Sequence, residues 1–381
     1  MSASANTHYI GYNNRIDLYE TAHGVIPNGN ANTAADDWTG FSLNLNRSVK
    51  ADKTFTNEIT STYALVYTAG LYSGGVLATN GDIHFVPNSV NRGQKISADG
   101  IVSTYSLVYT VNFASYTYMG GVLAPNGDVH FIASSARVGQ KIAANNVVST
   151  YSLIYTLDDA YNGGVLNANG EIHFVPYFGT VGQKISVSGV VSTYSIINSS
   201  FGSYFGGVLS PSGEIHFVPL YSTVGQKVAA NNYVSTYSLP YTNGTNGAYV
   251  GGVLAPNGDI HFIPYGANRG TKVAANNYVS TYTLVYTNSA GAYWGGVLAP
   301  NGDIHFVPNS AAVGQKISAN GAVSTYSLTF TLSAGAFSGG VLAPNGDIHF
   351  IPYDVRGQVV YTNSGRPLDF GTCASPYLNK L

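Results

Sequence analysis

Gly251-Gly-Val-Leu-Ala-Pro-Asn-Gly-Asp-Ile-His-Phe-Ile-Pro264 reads as a hairpin. An apolar run, Gly251–Ala255, enters a Pro256-Asn-Gly258 turn, and Asp259–Ile263 returns until Pro264 stops it. Asn-Gly between apolar runs is a strong hairpin signal because both residues accept positive φ. The phrase recurs. Gly-Gly-Val-Leu starts at Gly74, Gly120, Gly163, Gly206, Gly251, Gly295 and Gly339, in steps of 46, 43, 43, 45, 44 and 44 residues. Ser-Thr-Tyr also occurs seven times, from Ser61, Ser103, Ser149, Ser192, Ser235, Ser280 and Ser324. A period in the mid-forties holds one four-stranded sheet with its turns, so the chain is expected to be all-β, a seven-bladed β-propeller.

Working outward from Pro264, a variable loop leads to a third strand, Gly270–Ala274. Asn276-Asn277 then turns into a long fourth, Ser280–Thr287, rich in β-branched and aromatic residues. We call the four a, b, c and d. Strand a, with its glycines, suits the crowded axis, and strand d suits the wide rim. The first d-type segment, residues 61–68, precedes the first strand a, whereas the last strand c, residues 357–362, has no d after it. These two segments are expected to pair and close the ring, which removes a long free sheet edge. The domains follow: an arm at 1–60, the propeller at 61–362 and an extended tail at 363–381. The arm contains Trp38 and a β-like piece, Phe41–Leu45.

Of the 381 residues, 45% are hydrophobic, ample for a core, and only 9% are charged. Net charge is −2 and the 16 basic residues form no run, which argues against a nucleic-acid partner. The single cysteine, Cys373, makes neither a disulfide framework nor a cysteine-based metal site. The first residues lack an apolar signal core and no window is long and apolar enough to span a membrane, so cytoplasmic synthesis without membrane insertion is expected.

The copies can be compared within the one chain. The a–b turns are nearly uniform (Pro125-Asn-Gly127, Pro256-Asn-Gly258), as are the c–d turns, whereas the d–a and b–c loops vary in length and content. Up-and-down strands put both variable loops on one face and both tails on the other. Loops on a rigid scaffold are where recognition concentrates. The variable face is expected to carry Tyr72, Phe113, Tyr116, Tyr118, Tyr161, Phe201, Tyr204, Phe205, Tyr249, Tyr293, Trp294 and Phe337. Such rings stack on sugars or anchor a protein partner. The alternative is that they are tucked against the blades.

Each strand b carries a histidine two residues after an acid: His84, His130, His173, His216, His261, His305 and His349. Residues i and i+2 share a strand face, which invites a metal or catalytic interpretation. Seven rotated copies cannot converge on one ion, so an interblade hydrogen-bond network with the Ser-Thr-Tyr segment is expected instead, comparable to the Asp–His–Ser/Thr arrangement of WD-repeat proteins. Gln-Lys in five strands c is read as scaffold for the same reason. The chain has no Gly-x-Ser-x-Gly elbow, phosphate loop, Rossmann fingerprint or His-Glu-x-x-His. No catalytic residue, metal or cofactor is assigned, and no enzymatic activity is expected.

The unit Gly-Gly-Val-Leu-Ala-Pro-Asn-Gly-Asp-Ile-His-Phe resembles repeats in uncharacterised proteins of aquatic bacteriophages and large DNA viruses. The closing Ser375–Leu381 is similar to the ends of some of them. The resemblance covers residues 61 to 381 and implies a viral origin. It leads to the expectation of a virion structural protein, a capsid decoration or tail-associated propeller. Residues 1–60 would hold it to other virion proteins, or make a homo-oligomer, while the variable face meets a cell-surface glycan or receptor. A free lectin-like propeller is the alternative, and a hydrolase at the channel mouth a third.

Overall fold

The computed structural model describes residues 7–12, 15–20, 59–68, 71–110, 116–242, 246–289, 291–331, 335–353 and 356–361. Trp38, Phe41–Leu45, Phe113, Cys373 and the tail 363–381 lie outside them. Seven four-stranded antiparallel sheets make the ring, each in the order a-b-c-d. Blade one runs Tyr72–Leu77, Ile83–Pro87, Arg92–Ile96 and Val102–Ser106. The later blades begin at Tyr118, Tyr161, Tyr204, Tyr249, Tyr293 and Phe337. Strands a of successive blades adjoin, so they are innermost. Blade seven takes its strand d from the other end of the chain: Ile59–Ala64 pairs with Arg356–Tyr361, from Ile59 opposite Tyr361 to Ala64 opposite Arg356. Outside the ring, Thr7–Tyr12 pairs with Arg15–Glu20.

Strand d is shorter than the sequence suggests: Val279–Thr283, not 280–287, and Ile59–Ala64, not 61–68. The residues beyond it give their amides to the next blade. Val66 N and Tyr67 N both donate to Gln94 Oε1 at 2.9 Å. Gln140, Gln183, Gln226 and Gln315 each accept the same pair, and Gln358 accepts Phe330 N. The glutamine of strand c is therefore the interblade clasp, and it is fully buried. Blade five has Thr271 there, bonded instead to Tyr249 Oη at 2.6 Å.

Each strand a contains a bulge. In blade three Tyr161 is opposite Pro176 but Gly164 is opposite Phe174, so Asn162-Gly163 holds one extra residue, with Gly163 at φ 87°. A Cβ on Gly163 would stand 3.1 Å from Gly206 Cα of the next blade, so glycine is what lets the inner strands meet. The a–b turn also differs from expectation. Only the glycine takes positive φ (84° at Gly127), and Gly127 N bonds to Ala124 O at 2.9 Å. The three-residue loop Pro125-Asn-Gly127 thus needs a left-handed backbone at the glycine alone, not at Asn126 as well. Asn126 serves through its side chain, which accepts from Asp128 N and donates to Asp128 Oδ2.

Candidate functional site

The tyrosine opening each strand a precedes the bulge and points into its own blade. Tyr72, Tyr118, Tyr161, Tyr204, Tyr249 and Tyr293 are fully buried, and each hydroxyl donates to the carbonyl oxygen of a residue at the start of strand c, as in Tyr161 to Val181 at 3.0 Å. Each ring also meets the strand-b phenylalanine, as in Tyr293–Phe306 at 5.3 Å. These six were expected on the variable face. They belong to the core, because a ring before the bulge faces the sheet interior. Phe337 is buried likewise.

The bulge turns the following residue to the axis. Ser73, Met119, Phe205 and Val250 line what is left of the channel, a void of about 10 Å³. Trp294 meets Phe205 edge-on at 5.2 Å. The channel is plugged, since this space holds no more than about one water. Phe205 is thus part of the plug rather than an exposed contact, whereas Trp294 is half-buried at its top.

The plug is the floor of a bowl on the variable face. Leu220, Tyr177 and Tyr265 pack on it. They stand in the b–c loops of blades four, three and five, directly after Pro219, Pro176 and Pro264. Tyr265 meets Trp294 at 5.4 Å, and Tyr177 meets Phe205 at 6.2 Å. Gly291, at φ 94°, makes room for Tyr265, whose ring a Cβ there would strike at 2.5 Å. Phe178 stacks on Tyr177 at 4.3 Å and on Phe201 at 3.6 Å, and Phe201 is 75% exposed. Tyr116 and Tyr221 complete the wall, 47% and 37% exposed.

The hydroxyls gather closely enough to act on one another. Burial, with Tyr221, Asp159, Tyr116 and Tyr265 nearby, pushes Tyr177 up to about 12. Burial, Tyr221 and Tyr116 raise Tyr265. Tyr177 and Tyr265 therefore stay neutral donors and acceptors. The b–c loops of blades one, two and six carry small polar residues instead. Ser89 donates to Asn88 Oδ1 at 2.9 Å, Ser134 and Ser135 both donate to Asp159 Oδ1, and Asn309 donates to Phe337 O. Asn88, Ser89, Ser134, Ser135 and Asn309 are buried, so what lies open beside the rings on this side is the half-buried Asp159.

Tyr177, Tyr221 and Tyr265 were missed by sequence reasoning. Their signal was position: each falls just after strand b, where other copies have Asn88-Ser89 or Ser134-Ser135.

The histidines lie elsewhere, on blade faces. Tyr of strand d crosses strand c to reach them: His130 Nδ1 is 3.3 Å from Tyr151 Oη, with like pairs at His173–Tyr194, His216–Tyr237 and His305–Tyr326. His84 and His261 keep the same 5.4 Å ring separation from Tyr105 and Tyr282, and His349 stands 5.8 Å from Tyr63. These contacts run within a blade, which corrects the interblade network expected for them. Burial lowers His84, His130, His173, His216, His261 and His349 to about 4. Among the described residues no three His, Cys, Asp or Glu side chains group to hold a metal.

No family model and no curated protein sequence matches the chain. Solved structures do. A streptogramin B lyase superposes with TM-score 0.70 at 19% identity, over 81% of this chain and all of that one. The virginiamycin B lyase of Staphylococcus aureus gives 0.69 at 17%, over 80% of this chain and all of that one. The WD40 β-propeller domain of Doa1 gives 0.62 at 14%, over 81% and 98%.

The fold is a seven-bladed β-propeller. At these identities the likeness extends to the fold and no further. It overturns one expectation, that such a chain has no enzymatic activity: two of these structures are lyases on the same scaffold, so the architecture does not exclude chemistry.

Proposed function

We propose that this propeller is a recognition protein whose bowl binds a saccharide. The observation that carries it is the lining: the rings of Tyr177, Tyr221, Tyr265 and Trp294, with the half-buried carboxylate of Asp159 near Tyr177. A pyranose has the matching groups, C–H surfaces for the rings and hydroxyls for a carboxylate. Trp294 Nε1 is buried and has no hydrogen-bond partner among the described residues. A buried donor needs an acceptor, which a ligand hydroxyl or a water at the bowl floor supplies.

The repeat's resemblance to virus proteins sets the proposed context: a particle-borne propeller held through residues 1–60, with the bowl turned outward to a host glycan. A glycan array followed by titration tests the binding. Tyr221→Ala is expected to weaken the best hit about ten-fold, the loss of roughly 1.4 kcal/mol of ring contact, without lowering the melting temperature. No glycan bound, or unchanged binding in that variant, rejects the bowl. Absence of the protein from purified particles rejects the virion context alone.

A further inference from the structure

The rings of the bowl meet nearly at right angles. Tyr265 stands at 84° to Trp294, Trp294 at 86° to Phe205, and Phe205 at 79° to Tyr177, with centroids 5.4, 5.2 and 6.2 Å apart. Tyr221 and Tyr116 come near both Tyr177 and Tyr265. A flat sugar ring lies on only one wall of such a corner. A small, rounded cation touches two walls at once, and each offers it the negative face of an aromatic quadrupole.

A carboxylate stands beside these rings and is held in place. Asp159 Oδ1 accepts from Ser134 Oγ at 3.3 Å and from Ser135 Oγ at 3.2 Å, and Asp159 N donates to Ser135 Oγ at 3.1 Å. Both serines are buried. Phe178 N donates to Asp159 O at 3.1 Å, which ties this loop to the one that carries Tyr177. Among the described residues no hydrogen bond or ion pair reaches Asp159 Oδ2. Its charge is felt at the Tyr177 hydroxyl. Arg137, two residues after Ser135, is turned instead to Asp158, at 2.6 Å, and to Thr156 O. The six repeat lysines pair with strand-b acids beside the a–b turns, on the other face.

We propose that the saccharide taken by the bowl is an amino sugar: its ring lies on one aromatic wall, and its free ammonium sits in the corner between walls with Asp159 as counter-charge. The inference rests on the saccharide reading of the bowl and adds the ligand's charge to it. Ring faces and a carboxylate with one oxygen unspent both favour a cation over a neutral group. Trp294 Nε1 suits a hydroxyl oxygen of the same sugar. Acetylating the amine removes the charge and sets an apolar methyl against the carboxylate.

The test titrates a glucosamine tetramer, an N-acetylglucosamine tetramer and cellotetraose into the full chain by calorimetry, at about pH 6, where such an amine is protonated. The glucosamine tetramer is expected to bind about ten-fold more tightly than either neutral one. Asp159→Asn is expected to bring that ratio to about one. Tetramethylammonium chloride is expected to displace the glucosamine tetramer at concentrations where sodium chloride does not, which decides the matter if the variant does not fold. Equal binding of the three tetramers, a ratio unchanged in the variant, or equal displacement by the two salts overturns the inference and leaves the saccharide reading standing. Binding of none of the three also overturns it, and only a glycan array without hits removes the saccharide reading as well.

Discussion

Tyr194 Oη lies 3.2 Å from His173 Nδ1, and the tyrosine reaches it by lying across the bare backbone of Gly182. A Cβ on Gly182 would stand 2.2 Å from the ring. The same glycine–tyrosine pairing recurs in every blade, from Gly93–Tyr105 to Gly357–Tyr63.

Gly182→Ala is expected to eject the Tyr194 ring and cost about 2–3 kcal/mol, an overpacking penalty. Tyr194→Ala removes the obstacle, so the double variant should be scarcely less stable than Tyr194→Ala alone. Additive losses in urea unfolding would disprove the coupling.

Gln226 Oε1 accepts Ile197 N and Asn198 N at 3.0 and 2.8 Å. Gln226→Ala is expected to destabilise by about 2–3 kcal/mol, because two amides at a blade seam lose their acceptor. Hydrogen exchange should quicken at those two amides first. Unchanged protection there would show that the clasp contributes little.

Acid is expected to unfold the protein early. Six histidines are held near 4 by burial, whereas in the unfolded chain they titrate near 6.5. Below 6.5 the unfolded state binds protons that the folded state refuses. Their contribution is therefore intact above about pH 6.5 and is lost as pH falls towards 4, at up to about 1.4 kcal/mol per pH unit for each. The acids act in the same direction at lower pH. Burial alone would raise Asp82, but the hydrogen bond and charge of Lys95 outweigh it and hold it low, and Glu214 stands likewise beside Lys227. That contribution goes as pH drops through their folded values. Equal stability at pH 7 and pH 5 in denaturant titrations would refute the histidine part.

Ring closure rests on Ile59–Ala64. Tyr63 there donates to Phe350 O at 3.2 Å. A chain lacking residues 1–64 leaves the outer edge of Arg356–Tyr361 bare, and is expected to associate or to melt without cooperativity. A soluble, cooperatively melting monomer on light scattering and calorimetry would show that closure does not need this strand.

The blade count, the four strands, their order and the closing partner were all legible, because a repeat displays the same local preferences seven times. Errors arose where one position had two local solutions. An aromatic ring before Gly-Gly looks like a loop residue. Only the bulge at Asn162-Gly163 shows that Tyr161 turns inward and its neighbour to the axis. Repetition likewise marked His and Gln equally as scaffold, and pairing across the sheet was needed to show that glutamine joins blades and histidine braces one.

By itself the sequence determined the architecture, since periodic strands and turns act over a few residues and each copy repeats them. The tertiary structure alone decided which distant residues meet on the ring. Tyr177, Tyr221 and Tyr265 come from three blades and meet only when the sheets are wound about a common axis. His349 and Val359 come to stand near Ile83 and Ile96 of the first blade only because closure brings the ends of the chain together. Both are contacts between residues far apart in the chain, and no local preference encodes them.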